Sequence, residues 1–432
     1  MFVPRAALLT ILILACSSPA AFAQAKPRPQ RPTPQDIEKI TAALPDKAPA
    51  TPKQPRKVLI FTRATGFVHS SIPVGARTFE LMGAKTGAFT AVASDDPESF
   101  DPANLKQFDA VVMMSTTGSL FMPKEAERKE DLLYKNPTNA PLPAELVRPA
   151  QLRQSLLDFV RGGKGLVGIH AAADSSYRWK DYGTLLGGQF NGHPWGHIVM
   201  RIEDPANPVN AAFGGKPFEI SDEIYTFRET YSRERQHILT SIDLAASKID
   251  SGFNRPQDHD YAVSWLNKYG QGRVFYCSLG HREETYMNPT VLRHYLAGLQ
   301  FALGDLDADA SPSGPLPPER LAENMKVAAM GWRDVAGNEK WYRDNKDVKE
   351  RTFTGTLEAA SANPGEVTVV QRKALYKLGD RTIFTAGKKN AALDALVGQR
   401  VDIKGKAVDM ELEGKPLHEI WPAAVRPAKP QP

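Results

Sequence analysis

The sequence predicts an α/β fold, a mostly parallel sheet with helices on both faces, joined to a smaller and mainly-β C-terminal domain. Two observations carry this expectation. From Lys57 onward, apolar strand-like runs alternate with segments of helical spacing, the order that builds a parallel sheet. Past Asp305 the texture changes to short alternating segments separated by Gly- and Asn-containing turns, the pattern of a small β-barrel, OB-like in its strand spacing. Length agrees with two units, because 432 residues exceed the roughly 100–200 of one ordinary domain. With 42% hydrophobic and 24% charged residues, the chain has the balance of a globular protein with an ample core.

Taken in order, the chain opens with Arg5, the apolar run Ala6 to Ala15 and the small-residue site Ala21-Phe22-Ala23. This is the pattern of a secretory signal peptide over residues 1–23, and its apolar stretch falls short of the about 20 residues that span a bilayer. Export to the periplasm or medium is therefore expected, with lipid attachment through Cys16 of Ile13-Leu14-Ala15-Cys16 as the alternative. Residues 24–56, rich in Pro, Lys and Gln, read as a tether holding one short helix at Asp36 to Leu44. Val58 to Thr62 is then a buried strand, Ser71 to Thr86 a helix, Phe89 to Ala93 a second strand and Phe108 to Met114 a third. Phe121 to Pro149 lacks periodicity and reads as a surface excursion on the rim. Gln151 to Arg161 gives a helix closed by Gly162-Gly163, Gly165 to Ile169 the next strand, and Arg273 to Leu279 with Pro289 to Leu303 the closing strand and helix. The unit so defined runs from 57 to 306.

Residues 307–319 are a Pro-rich linker, and 320–425 form the second domain before a tail at 426–432. Its expected elements are a partly helical Arg320 to Arg343 and strands at Thr352 to Glu358, Glu366 to Lys377, Arg381 to Thr385, Gln399 to Met410 and Leu417 to Val425. The sequence names no protein partner for it.

The net charge of +5, from 54 basic and 49 acidic residues, is spread along the chain without a basic block, which argues against a nucleic-acid partner. No glycine fingerprint follows the first strand, so neither NAD nor ATP is expected. Only Cys277 lies beyond the leader, so no internal disulfide can form.

In an open parallel sheet, ligands bind beyond the carboxyl ends of the strands. Four polar segments fall there: Gly66 to Ser70, His170 to Asp174, Gly187 to His197, and Gly280 to Glu284. Five of the nine histidines lie in them. Gly66-Phe67-Val68-His69, Gly168-Ile169-His170-Ala171-Ala172, Gly188 through His193-Pro194, Asp222-Glu223-Ile224-Tyr225, and Tyr269 to Tyr276 with Leu279-Gly280-His281 together resemble the ThuA-like family, named for trehalose utilisation. The resemblance covers about Lys57 to Leu306. It implies a flavodoxin-like sheet of the class I glutamine amidotransferase-like superfamily and a link to carbohydrate metabolism.

One departure from that superfamily decides the chemistry. Where amidotransferases place a thiolate on the strand-to-helix turn, this chain has His170, and Cys277 lies inside an apolar strand where a thiol is inert. Amidotransferase activity is therefore not expected. What remains suits acid–base chemistry on a sugar or keto-sugar, by isomerisation or hydrolysis, with His170, Asp174 and Glu223 as catalytic candidates and Asp174 orienting His170. His69, Gln189, His193, Trp195, Tyr225 and His281 are the candidates for binding the substrate, a small carbohydrate. A divalent metal such as zinc is a second functional reading, with His193 and His197 as ligands and a third from His69, His170, Glu223 or His281. The rival from another class is a non-catalytic carbohydrate-binding or scaffold module. A hydrolase using Ser70 or Ser278 is more distant, since neither lies in a Gly-x-Ser-x-Gly turn.

Overall fold

The computed structural model describes residues 31–123, 129, 132–133, 141–336, 340–360, 374–412 and 414–428. The expected leader at 1–23, Cys16, part of the 121–149 excursion and residues 366–373 of one expected strand lie outside them. Helix α1 (Pro34–Ala43) opens the chain, with Thr33 and Asp36 forming a capping box. Then follow β1 (Lys57–Phe61), α2 (Ile72–Thr86), β2 (Thr90–Ser94), α3 (Pro102–Leu105), β3 (Ala110–Met114), α4 (Ala144–Arg161), β4 (Gly165–Ile169) and α5 (Lys180–Leu186). The strands β5 (Trp195–Ile202), β6 (Phe218–Ile224), β7 (His237–Ile242), β8 (Ala262–Tyr269) and β9 (Gly272–Cys277) lead to α6 (Pro289–Leu303).

These nine strands form one sheet in the order β2-β1-β3-β4-β9-β8-β7-β5-β6. From β2 to β9 every neighbouring pair is parallel. From β9 to β6 every pair is antiparallel. The parallel half is the expected part. Apart from the exposed edge strand β2, its strands are buried on both sides, and alternate residues divide between two cores. Val58, Ile60, Val112, Val167 and Phe275 face α2 and α6, while Leu59, Val111, Leu166 and Val274 face α4 and α5. The antiparallel half was not read from the sequence, because buried Thr240, Ser241, Ser264 and Asn267 interrupt its apolar runs. Their polar groups are satisfied inside the sheet, as in the Thr240–Ser264 hydroxyl pair at 2.7 Å.

Helix α4 starts seven residues before the expected Gln151 and runs through Pro149, whose missing N–H costs one bond in the second turn. The described part of the segment expected as a tether, residues 31–56, lies against the domain. Ile40, Ala43 and Leu44 are buried in the core beside α2 and α6, Ala50 exchanges two hydrogen bonds with Gln300, and Arg56 pairs with buried Asp305 at 2.6 Å. The linker is likewise held, its Ser311 carbonyl accepting from His237.

The C-terminal unit contains α7 (Pro318–Ala329), β10 (Arg333–Asp334), α8 (Lys340–Asp344), β11 (Arg351–Ala359), β12 (Tyr376–Leu378), β13 (Arg381–Ile383), α9 (Ala391–Asp394), β14 (Arg400–Leu412) and β15 (Lys415–Pro427). Strand order β15-β13-β12-β11-β14 closes on itself through a β14–β15 pairing, so the domain is barrel-like. Leu357, Ile383, Val401, Ile403, Ile420 and Val425 fill its interior. Among the described residues no helix is long and apolar enough to cross a membrane.

Candidate functional site

The strand ends bring four side chains to one point. His69 comes from the loop after β1, His170 is the first residue after β4, His281 follows β9, and Glu223 is the penultimate residue of β6. One ligand-type atom from each lies within 4.8 Å of every other. His170 and His281 follow adjacent strands, β4 and β9, and His69 follows β1, separated from β4 by β3 alone. Glu223 comes from farther off, because β6 is the far edge of the sheet, four strands beyond β9. The antiparallel half curls back until the end of β6 meets the end of β9, where the Tyr225 amide donates to the Ser278 hydroxyl at 3.1 Å.

Asp222 secures that junction. It is 1% exposed, and its carboxylate accepts from the amides of Gly280 (2.6 Å) and Arg282 (3.0 Å) and the hydroxyl of Thr285 (2.9 Å), clasping the loop that carries His281. Gly280 has φ +129, and a Cβ there would press on the Tyr286 hydroxyl and His170, so the tight turn requires glycine. Ser71 donates to the Gly280 carbonyl and so joins the His69 loop to the same turn.

His170 itself occupies the left-handed region, at φ +47, on the sharp strand-to-helix turn. Its Nδ1 lies 2.7 Å from the Ser278 carbonyl, which can only accept, so Nδ1 carries the proton and Nε2 the lone pair. That Nε2 is buried, makes no hydrogen bond, and stands 3.7 Å from Glu223 Oε1. Nδ1 of His69 and Nδ1 of His281 are also buried without a hydrogen bond, and the latter lies 3.4 Å from the same carboxylate oxygen. Burial depresses both His69 and His170 to about 3, so both are neutral at ordinary pH. Burial would raise Glu223, but His281, followed by His170 and His193, outweighs it and holds the carboxyl below its usual range. His281 is raised in turn, chiefly by Glu223. Three neutral or weakly basic imidazoles facing one carboxylate form a donor set that suits a divalent transition metal.

The remaining candidates divide. His193, half-exposed, places Nδ1 3.5 Å from the other Glu223 oxygen and stacks on Phe190, at the mouth of the cluster. Tyr225 packs its ring 4.3 Å from that of His170. Asp174 does not orient His170. Residues His170–Asp174 form a 3-10 turn, in which residues four apart do not share a face, and Asp174 instead accepts from the Tyr177 hydroxyl. Gln189 is buried and donates to the Ser176 carbonyl. Trp195 is not a sugar platform: it is 6% exposed, donates to the Ser251 carbonyl and packs edge-on against Tyr261. His197 is held by Ser221 and Glu219 across the β5–β6 pairing and does not join His193. Cys277 is fully buried and pushed up to about 12, which rules it out as a thiolate nucleophile.

Sequence reasoning missed Asp222 as a working part of the site, although a signal existed. In Phe218–Ile224 the buried positions are Ile220, Asp222 and Ile224, so a carboxylate stands where the strand's alternation calls for an apolar side chain. Ser278, which sets the His170 tautomer through its carbonyl, left no such trace.

A family model, ThuA, described as trehalose utilisation, matches residues 57–134 and 139–302, more than half of the chain. The chain belongs to the ThuA family. Its matched region contains all four residues of the cluster. Among solved structures the chain is similar to a ThuA-like protein from Bacteroides uniformis, at 18% identity and TM-score 0.44, covering 58% of this chain and 93% of that one. It is similar also to a ThuA-like protein from Parabacteroides merdae, at 15% identity and TM-score 0.38, covering 61% and 94%. An exo-β-1,4-mannosidase from Opitutaceae bacterium strain TAV5 aligns at 11% identity and TM-score 0.32, over 60% of this chain and 37% of that one. No curated protein matches the chain.

Proposed function

We propose that this ThuA-family protein is an exported enzyme that acts on a sugar or keto-sugar at the His69–His170–Glu223–His281 cluster. The observation that supports this most is a set of three buried imidazole nitrogens without hydrogen bonds, converging on one carboxylate at the carboxyl ends of the parallel strands. Most buried polar groups are paired, and three unpaired ones gathered at one point call for a ligand more strongly than the scattered unpaired atoms elsewhere. In this reading Glu223, held ionised by its imidazole neighbours, takes a proton from a carbon or hydroxyl of the substrate. His281 or the more exposed His193 donates a compensating proton, to the substrate in isomerisation or to the leaving oxygen in hydrolysis. In hydrolysis Glu223 instead takes its proton from an attacking water, and no covalent enzyme intermediate forms. A cleft of about 780 Å³ in the same domain, lined in part by Tyr177, Gln189, Asn191, Arg228 and Asn254 but by none of the four cluster residues, offers donors and a ring to a polyhydroxylated ligand.

The test is a thermal-shift screen of the protein lacking residues 1–23 against disaccharides, monosaccharides and their keto forms, followed by turnover assays on those that bind. A sugar at about 100 times its dissociation constant adds about 2.7 kcal/mol. Turnover that disappears in Glu223→Gln while sugar binding persists supports catalysis. Binding with no turnover in the unmodified protein turns the reading into a carbohydrate-binding module. Export forms part of the proposal and rests on the residue 1–23 pattern; a mature N-terminus at Gln24 in the periplasm or medium is the expected result. We also read the barrel as OB-like, on the β11-β12-β13-β15-β14 order and the parallel β13–β15 contact.

A further inference from the structure

We propose that His69, His170, Glu223 and His281 are the ligands of a single divalent transition-metal ion of the zinc class. This inference rests on reading the cluster as the working site and names what that site holds. With an ion bound, Glu223 and His281 serve as ligands in place of the proton-transfer roles given them above, which leaves His193 as the free imidazole beside them. Four independent observations converge on it.

The first is composition and reach. Three imidazole nitrogens and a carboxylate oxygen, contributed by four separate chain segments, lie mutually within 4.8 Å. Around an ion with bonds of about 2.0–2.2 Å, neighbouring ligand atoms stand about 3 to 4 Å apart. The Glu223–His281 and Glu223–His170 separations of 3.4 and 3.7 Å already fall in that interval. The second is the missing hydrogen bonds. Nε2 of His170, Nδ1 of His69 and Nδ1 of His281 are sealed from solvent and make no hydrogen bond, the Glu223 carboxylate standing 3.7 Å from the first and 3.4 Å from the third. Leaving each so would forfeit about 1–3 kcal/mol, and a metal removes all three deficits at once.

The third is the tautomer. Metal-bound histidines characteristically give their other ring N–H to a carbonyl or carboxylate, and His170 gives Nδ1–H to the Ser278 carbonyl at 2.7 Å, aiming the Nε2 lone pair at the cluster. The fourth is anchoring. Asp222 clasps the Gly280–Thr285 loop through three bonds and so fixes the approach of His281, as a buried supporting shell does for a metal ligand. Nitrogen-rich donors with one carboxylate suit zinc, cobalt, nickel or iron ahead of magnesium or calcium, which prefer all-oxygen sites. His193 lies outside the four, half-exposed beside Glu223, so a substrate oxygen can enter from its side. His197, engaged by Ser221 and Glu219, is no part of the centre.

The experiment uses the full mature chain, stripped with a chelator, dialysed, and titrated with Zn2+ by calorimetry and with Co2+ by its visible ligand-field absorption. One ion per chain is expected, with an intense Co2+ band of low coordination number and displacement of Co2+ by Zn2+. His170→Ala and His281→Ala are each expected to weaken binding at least about 100-fold, since even supporting residues of such sites account for about 10–100-fold. His197→Ala should leave affinity unchanged. Circular dichroism of each stripped variant guards against misfolding, and His281→Gln, at a partly exposed position, supplies a second variant if His170→Ala does not fold. No saturable Co2+ band, or affinity equal in wild type and in both ligand variants, overturns the proposal. The two readings separate cleanly: sugar turnover in a protein that shows no saturable Co2+ band rejects the metal and keeps the enzyme. A tight stoichiometric metal with no sugar response keeps the metal and rejects the sugar.

Discussion

Two buried polar clusters in the same domain answer burial in opposite ways. In the antiparallel half, Arg233 pairs with Asp260 at 3.2 Å and with Glu203 at 3.0 Å, while Tyr231 donates to Asp260 and Arg320 reaches Glu203 at 3.2 Å. Each buried charge there meets its opposite. At the carboxyl ends of the parallel strands, His69, His170 and His281 face Glu223, each with a buried ring nitrogen that makes no hydrogen bond. The first arrangement balances its charges, although Arg233 Nε is left without a hydrogen bond, and it ties the residues flanking β5 and β8 to the 228–236 loop. The second is complete only when something enters. The difference separates groups kept for the fold from groups kept for a ligand, and mutation should expose it.

The largest effect is expected at the paired cluster. Arg233→Ala leaves buried Asp260 with only the Tyr231 hydroxyl and Glu203 with only Arg320 and Ser241, which costs about 3–5 kcal/mol by equilibrium urea unfolding. A loss below about 1 kcal/mol would show that the network is solvated and would erase the contrast. Next comes Asp222, which belongs to the site by position but to the fold by bonding. Asp222→Asn keeps one acceptor for donors from Gly280, Arg282 and Thr285, and should destabilise by about 1.5–3 kcal/mol while disordering the His281 loop. If stability is unchanged and only activity falls, Asp222 acts on the reaction and not on the loop.

These expectations show which parts of the molecule were legible beforehand. The parallel half could be read because each of β1, β3, β4 and β9 is an apolar run buried on both faces, followed by a polar, Gly- or His-bearing turn. Three of the four cluster residues follow from that rule alone. Glu223 could be nominated only through the resemblance, since its strand comes from the antiparallel half, whose buried Ser, Thr and Asn hide it from a hydrophobicity reading. Trp195 and His197 misled for the opposite reason: their types suit a sugar or metal site, but β5 turns one into the core and the other toward Glu219. Residue type suggests chemistry, whereas strand register decides which face receives it.

A pH measurement sharpens the paired side. Burial would raise Glu203, but Arg233, with Ser241 and Arg320, outweighs it and depresses the folded-state pKa. A depressed carboxyl contributes stability above its unfolded pKa and loses that contribution as pH falls through the folded value. The stability gap between wild type and Glu203→Gln should therefore close on acidification from about pH 5 to about pH 3. A gap that stays constant would mean that Glu203 acts through packing and not through charge.

The smallest expected effect on stability is the most telling for the open cluster. His281 is partly exposed, and its inward nitrogen makes no hydrogen bond, so His281→Gln removes little that holds the fold together. Metal-free unfolding should shift by no more than about 0.5 kcal/mol, the range of substitutions away from packed or paired features. Sugar turnover should nonetheless collapse. Fold and function would then be separable at His281 in a way they are not at Arg233. A loss of several kcal/mol at His281 would instead place the imidazoles among the structural groups, and their unpaired nitrogens would lose their meaning as a ligand site.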